Sequence, residues 1–239
     1  RDVGMEGCKG LSTVGAKPTA EVLSEESPFL IGDAVTLFRS GVARCYYLSV
    51  ERPDIPFGTK ELCRMMSKPR ECDMVVLKHL CRYLKAHPRL VQRIPSGVHP
   101  AWELQAYVDS DWAGCRYTRK STNGGCMVLN GACLKTWSTT QAVRALSGVE
   151  AGYYAALKGA SMALDFQSIA LDLGEKVHIG LFTDSAAALG ISGRRGLGEV
   201  RHLDTGYLWL QDAVVKKRVS AAKVKGQDNP ADLGTTFLK

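Results

Sequence analysis

The pattern of apolar and polar positions along the chain changes near residue 100. Before that point, the apolar residues recur at helical spacing. The spacing predicts helices over residues 29–50, 61–66 and 71–85, with a turn at residues 52–54. The clearest apolar stripe belongs to the third helix and consists of Met74, Leu77, Cys81 and Leu84.

Beyond residue 100 the pattern predicts a mixed α/β domain. Apolar and polar residues alternate in part over residues 103–111, as in a strand with one covered face. The pair Asn130-Gly131 predicts a hairpin between strands 125–129 and 133–138. The elements predicted after the hairpin are a helix at 147–173, a strand at 177–183, a helix at 185–189, a helix at 204–218, a strand at 219–225 and a short helix that begins at Pro230.

These patterns divide the chain into three parts. Residues 1–27 show no periodicity, and we interpret them as a tail or linker. Residues 28–100 form a helical segment whose end is marked by two prolines and a glycine. Residues 101–239 combine an antiparallel hairpin with alternating helices and strands, which is typical of a mixed sheet with helices on its faces.

Composition narrows the classes of protein to which the chain can belong. It has 239 residues, of which 45% are hydrophobic, and a net charge of +7, which favours a polyanionic partner. No apolar run approaches the ~18 residues that cross a bilayer, and no signal peptide is visible, so we expect no membrane partner. Eight cysteines without a Cys-x-x-Cys pair predict reduced thiols and a cytoplasmic or nuclear location. The chain begins with Arg1 rather than Met, which indicates a piece of a longer protein.

Four acidic residues stand at the ends or in the first turns of predicted elements. Asp109 lies in the first strand, Glu150 in the first turn of the long helix, Asp184 directly after the next strand and Asp232 in the last helix. If the two strands are neighbours, these carboxylates can face one point. Two such charges about 4 Å apart repel by ~4 kcal/mol at an effective dielectric of 20, so raised pKa values or bound cations are expected.

Each of the four also has a purely structural interpretation. Glu150 lies three residues after a serine, which is the spacing of a capping box. Asp184 could cap the helix that follows it, and Asp232 could favour the positive end of a helix dipole. Asp109 could lie on an open surface, and Asp111, on the same face of the strand, competes with it for the site. Periodicity alone does not choose among these alternatives.

The motifs around the acidic residues are more specific than the residues themselves. They are Tyr-Val-Asp-Ser-Asp-Trp-Ala-Gly at 107–114, Arg-Lys-Ser-Thr at 119–122, Ala-Leu-Ser-x-x-Glu-Ala at 145–151, Thr-Asp-Ser at 183–185, Arg-His-Leu-Asp at 201–204 and Asn-Pro-Ala-Asp at 229–232. In this order they resemble the ribonuclease H domain of copia-type LTR retrotransposon polyproteins. Residues 28–100 resemble the segment that connects the reverse transcriptase to that domain.

The resemblance implies a fold, a site and an activity. The fold is an α/β, ribonuclease H-like mixed sheet with flanking helices, preceded by a small helical segment. The site consists of Asp109, Glu150, Asp184 and Asp232 as ligands of two Mg²⁺ or Mn²⁺ ions, without a small-molecule cofactor. The activity is hydrolysis of the RNA strand of RNA–DNA hybrids, with the reverse transcriptase portion of the same polyprotein as a further partner.

One position departs from the family pattern and keeps other functions open. The family usually has a second acidic residue two positions after the glutamate, where this chain has Gly152. The alternatives are an inactive or host-recruited copy that acts as a nucleic-acid-binding or structural subunit, and a nuclease of the same fold that acts on DNA.

Basic residues provide candidate contacts to phosphate groups. The polar face of the helix at 71–85 carries Lys78, Arg82 and Lys85, and an ordinary solvated face is the alternative. The candidates in the second half of the chain are Arg116, Arg119, Lys120, Lys216 and Lys217. We interpret Trp112 and Trp137 as core residues and His202 as a structural residue near a helix start.

Overall fold

The computed structural model describes residue 5 and residues 7–15, 27–97, 100–115, 118–196 and 205–237. Arg116, a predicted phosphate contact, and His202, interpreted as a structural residue, lie outside the described residues. The chain divides into two compact units, of which one comprises Arg1–Val91 with Thr236–Lys239 and the other Gln92–Thr235. None of the described helices is long and apolar enough to cross a membrane.

The first unit is helical. Its described residues form α1 (Asp33–Leu48), α2 (Pro56–Met65) and α3 (Glu71–Ala86). The second helix begins five residues earlier than predicted, because Pro56 occupies the first helical position, where its fixed φ suits a helix. Phe38, Leu77 and Leu80 are among the fully buried residues of its core, and Val14, from the region predicted as a tail, is buried with them.

The second unit contains, within the described residues, a sheet of five strands. They are β1 (Trp102–Asp111), β2 (Thr122–Leu129), β3 (Ala132–Thr140), β4 (Val177–Thr183) and β5 (Ser220–Lys223), in the order β3-β2-β1-β4-β5. The strand β2 is antiparallel to β1 and β3, whereas β4 is parallel to β1 and β5. Asn130 and Gly131 join β2 to β3 with φ values of 46° and 85°. This mixed sheet confirms the predicted fold class and the predicted hairpin.

The helices of the second unit follow the prediction less closely than the strands. They are α4 (Gly148–Asp172), α5 (Ala186–Gly193) and α6 (Trp209–Val215), with 3₁₀ turns at Thr205–Leu208, Gly226–Asp228 and Pro230–Gly234. The helix α5 extends past its predicted end because Ile191 and Ser192 are buried, so packing outweighs the low helix propensity of Gly190. The element that begins at Pro230 is a 3₁₀ turn rather than a helix.

The long helix α4 packs on one face of the sheet and leaves Asp109 on the other. Leu104, Ala106 and Val108 are fully buried and alternate with more exposed residues along β1. A Cβ atom added to Gly159 of α4 would lie 2.3 Å from Cγ1 of Val108, so the helix approaches the strand very closely there. Asp109 therefore shares its face with Tyr107, whose ring stacks on that of Phe182 with centroids 5.1 Å apart.

We predict that Gly159→Ala destabilises the protein and that Gly190→Ala does not. The first substitution places a methyl group against a stiff, buried Val108 side chain, and such overpacking typically costs about 1–3 kcal/mol. The second adds a methyl group at an exposed helical position with no neighbouring atom within 4 Å, which is expected to stabilise by about 0.5–1 kcal/mol. Urea unfolding of the two variants measures both effects, and equal stability would contradict the close packing of α4 on β1.

Candidate active site

Asp109 and Asp184 lie side by side where two neighbouring strands end their pairing. In the parallel ladder Val108 is opposite Thr183, so the residue after each of them lies next to the other on the same face of the sheet. Burial raises the pKa of Asp184, and the negative charge of Asp109 raises it further, while the charge of Lys223 acts in the opposite direction. The sheet thus holds the two carboxylates close enough for the charge of Asp109 to raise the pKa of Asp184.

The structure separates Asp109 from Asp111, which periodicity could not do. A Cβ atom added to Gly114 would lie 1.6 Å from Oδ2 of Asp111, so this carboxylate is turned back over the tight turn that follows β1. The charge of Asp109, in contrast, acts on both Asp184 and Asp232. Asp109 is therefore the strand residue that joins the acidic cluster.

Asp232 reaches the same region on the 3₁₀ turn at Pro230–Gly234. The side-chain amide of Asn229 donates to the carbonyl oxygen of Val108 at 3.2 Å, and Ser138 Oγ donates to the carbonyl oxygen of Gly234 at 2.6 Å. A Cβ atom on Gly124 would lie 2.8 Å from the carbonyl oxygen of Ala231, so the turn lies directly on β2. Burial and the charges of Asp109 and Asp184 raise the pKa of Asp232 to about 6.

Glu150 lies in the first turn of α4 and is 2% exposed. Its backbone N–H donates to Oγ of Ser147, which is the N-cap residue. One carboxylate oxygen accepts from the N–H of Leu146 at 2.8 Å, and the other accepts from the hydroxyl of Tyr154 at 2.7 Å. These donors stabilise a charge that would otherwise be costly to bury.

The helix start after Asp184 is capped by the next residue instead. Ser185 Oγ accepts from the N–H of Ala188 at 3.2 Å and is the N-cap of α5. The alternative role of Asp184 as the cap of this helix is therefore wrong. Its carboxylate lies near Gly226, where an added Cβ atom would be 3.4 Å from Oδ2.

Asp109, Asp184 and Asp232 lie close together but do not enclose a common point. Among the described residues, no three or more His, Cys, Asp or Glu side chains are arranged so that they could hold a metal ion. Asp109, Asp184 and Asp232 nevertheless lie within range of one another's charge. A divalent cation between them would replace repulsion by attraction, and hard carboxylate oxygens are the donors that Mg²⁺ and Mn²⁺ prefer. The donor chemistry fits such an ion, and the assignment of the four residues as ligands stays a prediction.

Gly152, where the sequence departs from the family pattern, is buried between α4 and α5. A Cβ atom at this position would lie 3.2 Å from Oγ of Ser185 and 3.6 Å from Cβ of Ala188. A side chain here would thus point at the start of α5, next to Asp184. The side chain of Ser185 would have to give by a few tenths of an ångström to admit it.

The basic residues of the second unit differ in the contacts that their side chains make. Lys120 donates its ammonium hydrogen to the carbonyl oxygen of Ala142 at 2.6 Å and so holds the loop that precedes α4. Lys216 forms an exposed ion pair with Asp212, 2.7 Å between Nζ and Oδ2. Arg119 is exposed with a φ of 56°. Their role as phosphate contacts stays a prediction.

The basic residues of α3 contact the N-terminal segment of the same unit. Arg82 Nε donates to the carbonyl oxygen of Lys9 at 2.7 Å, and Lys85 Nζ donates to that of Cys8 at 3.0 Å. Lys78 is exposed. Two of the three predicted phosphate contacts on this helix therefore already bind backbone carbonyl groups.

The two tryptophans behave differently. Trp137 is buried in the core, as predicted. Trp112 is 52% exposed, with its indole N–H donating to the carbonyl oxygen of Ala145 at 3.1 Å, so its interpretation as a core residue is wrong. It follows β1 in a turn.

Sequence reasoning missed the side chains that contact the carboxylates. Tyr154 binds Glu150, and Thr235 donates its hydroxyl to Asp109. Tyr154 packs against the core, as an aromatic residue of an amphipathic helix is expected to do, and no periodic pattern singles out Thr235. The spacing of Tyr154 four residues after Glu150 puts them on one helix face and is the signal that could have linked them.

Comparisons with known proteins relate the chain to transposon polyproteins. No protein-family model matches it. An uncharacterized mitochondrial protein of Arabidopsis thaliana is 34% identical over 141 residues, which cover 57% of this chain and 54% of that protein. The retrovirus-related Pol polyprotein from transposon TNT 1-94 of Nicotiana tabacum is 27% identical over 205 residues, 84% of this chain and 15% of the polyprotein. The chain thus spans about half of the first relative and a small part of the second.

A similarity to solved structures covers part of the chain. The crystal structure of LC11-RNase H1 in complex with an RNA/DNA hybrid aligns with 54% of this chain and 91% of its own, at 13% sequence identity and a TM-score of 0.37.

We predict that Asp232→Asn stabilises the protein at neutral pH when divalent cations are removed. Because the pKa of Asp232 is raised to about 6 in the folded state, the folded protein keeps a proton that the unfolded chain loses near pH 4. This group therefore lowers stability as pH rises from about 4 to 6, and asparagine cannot titrate. The carboxylate is partly exposed, so we expect a gain of at most ~1 kcal/mol, or about 2–4 °C in Tm.

Thermal unfolding in EDTA at pH 4 and pH 7 measures this effect. The two proteins should unfold together at pH 4 and separate at pH 7, and saturating Mg²⁺ should reverse their order. Asp165→Asn, at an exposed position of α4, is the matched control and should show no such pattern. If Asp165→Asn behaves like Asp232→Asn, the effect comes from the change in net charge and not from the position of Asp232.

Proposed function

We propose that this chain, which belongs to the retrovirus-related Pol polyproteins of transposons and carries their ribonuclease H domain, hydrolyses the RNA strand of RNA–DNA hybrids with divalent metal ions. The strand order β3-β2-β1-β4-β5, with β2 antiparallel to its neighbours, is that of the ribonuclease H-like fold. The observation that carries the proposal is the gathering of Asp109, Asp184 and Asp232 from three separate parts of the chain. We also propose that the polyprotein is that of a copia-type retrotransposon.

Four carboxylates would hold the ions in this proposal. They are Asp109, Glu150, Asp184 and Asp232, the set that the sequence motifs single out. Mg²⁺ or Mn²⁺ ions bound there would supply activation of a water molecule and stabilisation of the departing 3′ oxygen of a phosphodiester. The chain supplies the negative charge for them, because the pKa of about 6 leaves Asp232 ionised at neutral pH.

Other side chains maintain this charge and its position. The hydroxyl of Tyr154 and the N–H of Leu146 hold the Glu150 carboxylate at the start of α4. Burial and the charge of Asp109 raise the pKa of Asp184, and the ammonium group of Lys223 limits that rise and partly balances the cluster. The net charge of +7 supports attraction of a nucleic acid. Recognition of RNA would use 2′-hydroxyl groups in the wide minor groove of the hybrid.

The chain would act next to the other parts of a polyprotein. The matched Pol polyprotein is much longer than this chain, which corresponds to 15% of it. We therefore propose the reverse transcriptase portion of the same polyprotein as a partner, and residues 28–100 as the segment that connects the two activities.

A second candidate function is nucleic-acid binding without hydrolysis. The observation that favours it is Gly152, which removes an acidic side chain from the family pattern at a position that points toward the start of α5. In this case the fold and the basic surface would be retained while catalysis is lost.

Cleavage assays on labelled hybrid, duplex DNA and duplex RNA separate the two functions. We predict Mg²⁺-dependent cleavage of the RNA strand of the hybrid alone. Asp184→Asn should lower the rate by a factor on the order of 10²–10³, the loss typical of removing one electrostatic contact from a transition state. Asp165→Asn, exposed on α4, should cleave like the unsubstituted chain.

The opposite results are equally informative. Salt-sensitive binding of hybrid without cleavage would support the binding function and refute hydrolysis. Cleavage of duplex DNA would point to a nuclease of the same fold with another substrate. Activity that survives Asp184→Asn would refute the assignment of the acidic cluster.

A further inference from the structure

Thr235 directly follows the 3₁₀ turn at Pro230–Gly234 and connects two carboxylate-bearing segments. Its hydroxyl donates a hydrogen bond to Oδ2 of Asp109, which lies 126 residues earlier in the chain. Its backbone N–H donates to the carbonyl oxygen of Asp232 at 3.1 Å. Thr235 is 6% exposed, so water competes little for the hydroxyl. A single residue therefore contacts the strand that carries Asp109 and the turn that carries Asp232.

The methyl group of Thr235 explains the direction of its hydroxyl. Asp109 is paired across the antiparallel ladder with Gly124. A Cβ atom added to Gly124 would lie 2.7 Å from Cγ2 of Thr235, so the methyl group occupies the space that the glycine leaves open. Because χ1 of a β-branched residue is stiff, the seated methyl group keeps the hydroxyl turned toward the carboxylate.

We infer that Thr235 is a positioning residue for Asp109 in the proposed metal site. A carboxylate has two oxygens with about four lone-pair positions, and an unrestrained one can present either oxygen to a cation. The hydroxyl of Thr235 engages Oδ2 and so fixes the orientation of the Asp109 carboxylate before any cation binds. The inference rests on the proposed function, since it assigns this carboxylate to a metal ion.

The expected size of the effect follows from similar partners in metal sites. Side chains that hydrogen-bond a metal-ligating carboxylate typically contribute 10–100-fold in metal affinity or activity. The partner acts before binding, because it removes rotations of the carboxylate that the cation would otherwise have to restrict. Metal affinity in the absence of nucleic acid is therefore the property to measure.

A purely structural role for Thr235 would rest on packing and on the turn. Packing on Gly124 needs the methyl group, and the turn is contacted both by the backbone N–H and by the hydroxyl, which also lies 3.2 Å from the carbonyl oxygen of Asp232. Loss of the turn contact alone would lower the melting temperature in EDTA together with the Mn²⁺ affinity. Thr235→Val keeps the branched shape and removes the hydroxyl, whereas Thr235→Ser keeps the hydroxyl and removes the methyl group. The neighbouring Thr236 is exposed, and Thr236→Val is the matched control.

The experiment is a Mn²⁺ titration of the full 239-residue chain without nucleic acid, with free Mn²⁺ followed by electron paramagnetic resonance. We expect Thr235→Val to weaken Mn²⁺ binding by about 10–100-fold. Thr235→Ser keeps the hydroxyl without the methyl group that directs it and should lose clearly less affinity than Thr235→Val, whereas Thr236→Val should bind like the unsubstituted chain. Melting temperatures in EDTA accompany each titration, and the loss of affinity should not follow them.

Two results would overturn the inference. One is unchanged Mn²⁺ affinity in Thr235→Val, and the other is an equal loss in the valine and serine variants, which would assign the effect to packing. If the valine variant does not fold, Thr235→Ser and Thr235→Ala provide the same comparison, because they differ in the hydroxyl alone.

Cleavage of hybrid is measured on separate samples so that the two proposals can fail independently. Mn²⁺ binding that Asp109→Asn abolishes, together with no cleavage of hybrid, would refute the proposed hydrolysis and still test Thr235. Cleavage of hybrid together with Mn²⁺ binding that ignores Thr235→Val would refute the positioning role alone. If no Mn²⁺ binding depends on Asp109, both proposals are refuted.

Discussion

Repulsion among Asp109, Asp184 and Asp232 is the constraint that the surrounding structure has to withstand. Burial raises the pKa values of Asp184 and Asp232, and the charges of the neighbouring aspartates raise them further, so the fold holds these carboxylates close together against their repulsion. The β1–β4 ladder positions the first two, and hydrogen bonds from Asn229 and Ser138 hold the turn that carries the third. Backbone pairing and these hydrogen bonds thus offset the repulsion among the carboxylates. A bound cation would replace that repulsion with attraction.

Elements whose sequence repeats with a clear period could be predicted, and elements that depend on packing could not. The strand β4 and the helix α3 have nearly the predicted bounds, because alternation and an apolar stripe define them locally. The Asn130-Gly131 hairpin formed because these residues tolerate the positive φ that the turn needs. The predicted end of α5 was wrong because the observed end depends on the burial of Ile191 rather than on local helix propensity.

In the candidate site, too, the features that local sequence patterns define could be predicted, and those that depend on long-range packing could not. Parallel neighbours bring Asp109 and Asp184 together once the strand order is known, and that much was expected. A period of two cannot distinguish Asp109 from Asp111, since the choice depends on the turn at Gly114 that draws one carboxylate away. The hydrogen bond from Asn229 to Val108 joins residues 121 positions apart, and no local sequence pattern predicts such a contact.

Glu150 differs from the other three acidic residues in how its charge is held, and this difference affects the robustness of the site. It is almost fully buried, yet its hydrogen-bond partners Leu146 and Tyr154 lie within four residues of it. The other carboxylates rely on contacts between distant segments, such as the one from Thr235 to Asp109. Because local contacts survive loosening of the sheet better than long-range ones, partial opening would disperse the aspartates while Glu150 kept its place at the start of α4. The geometry of the aspartates, rather than that of the glutamate, therefore reports whether the fold is intact.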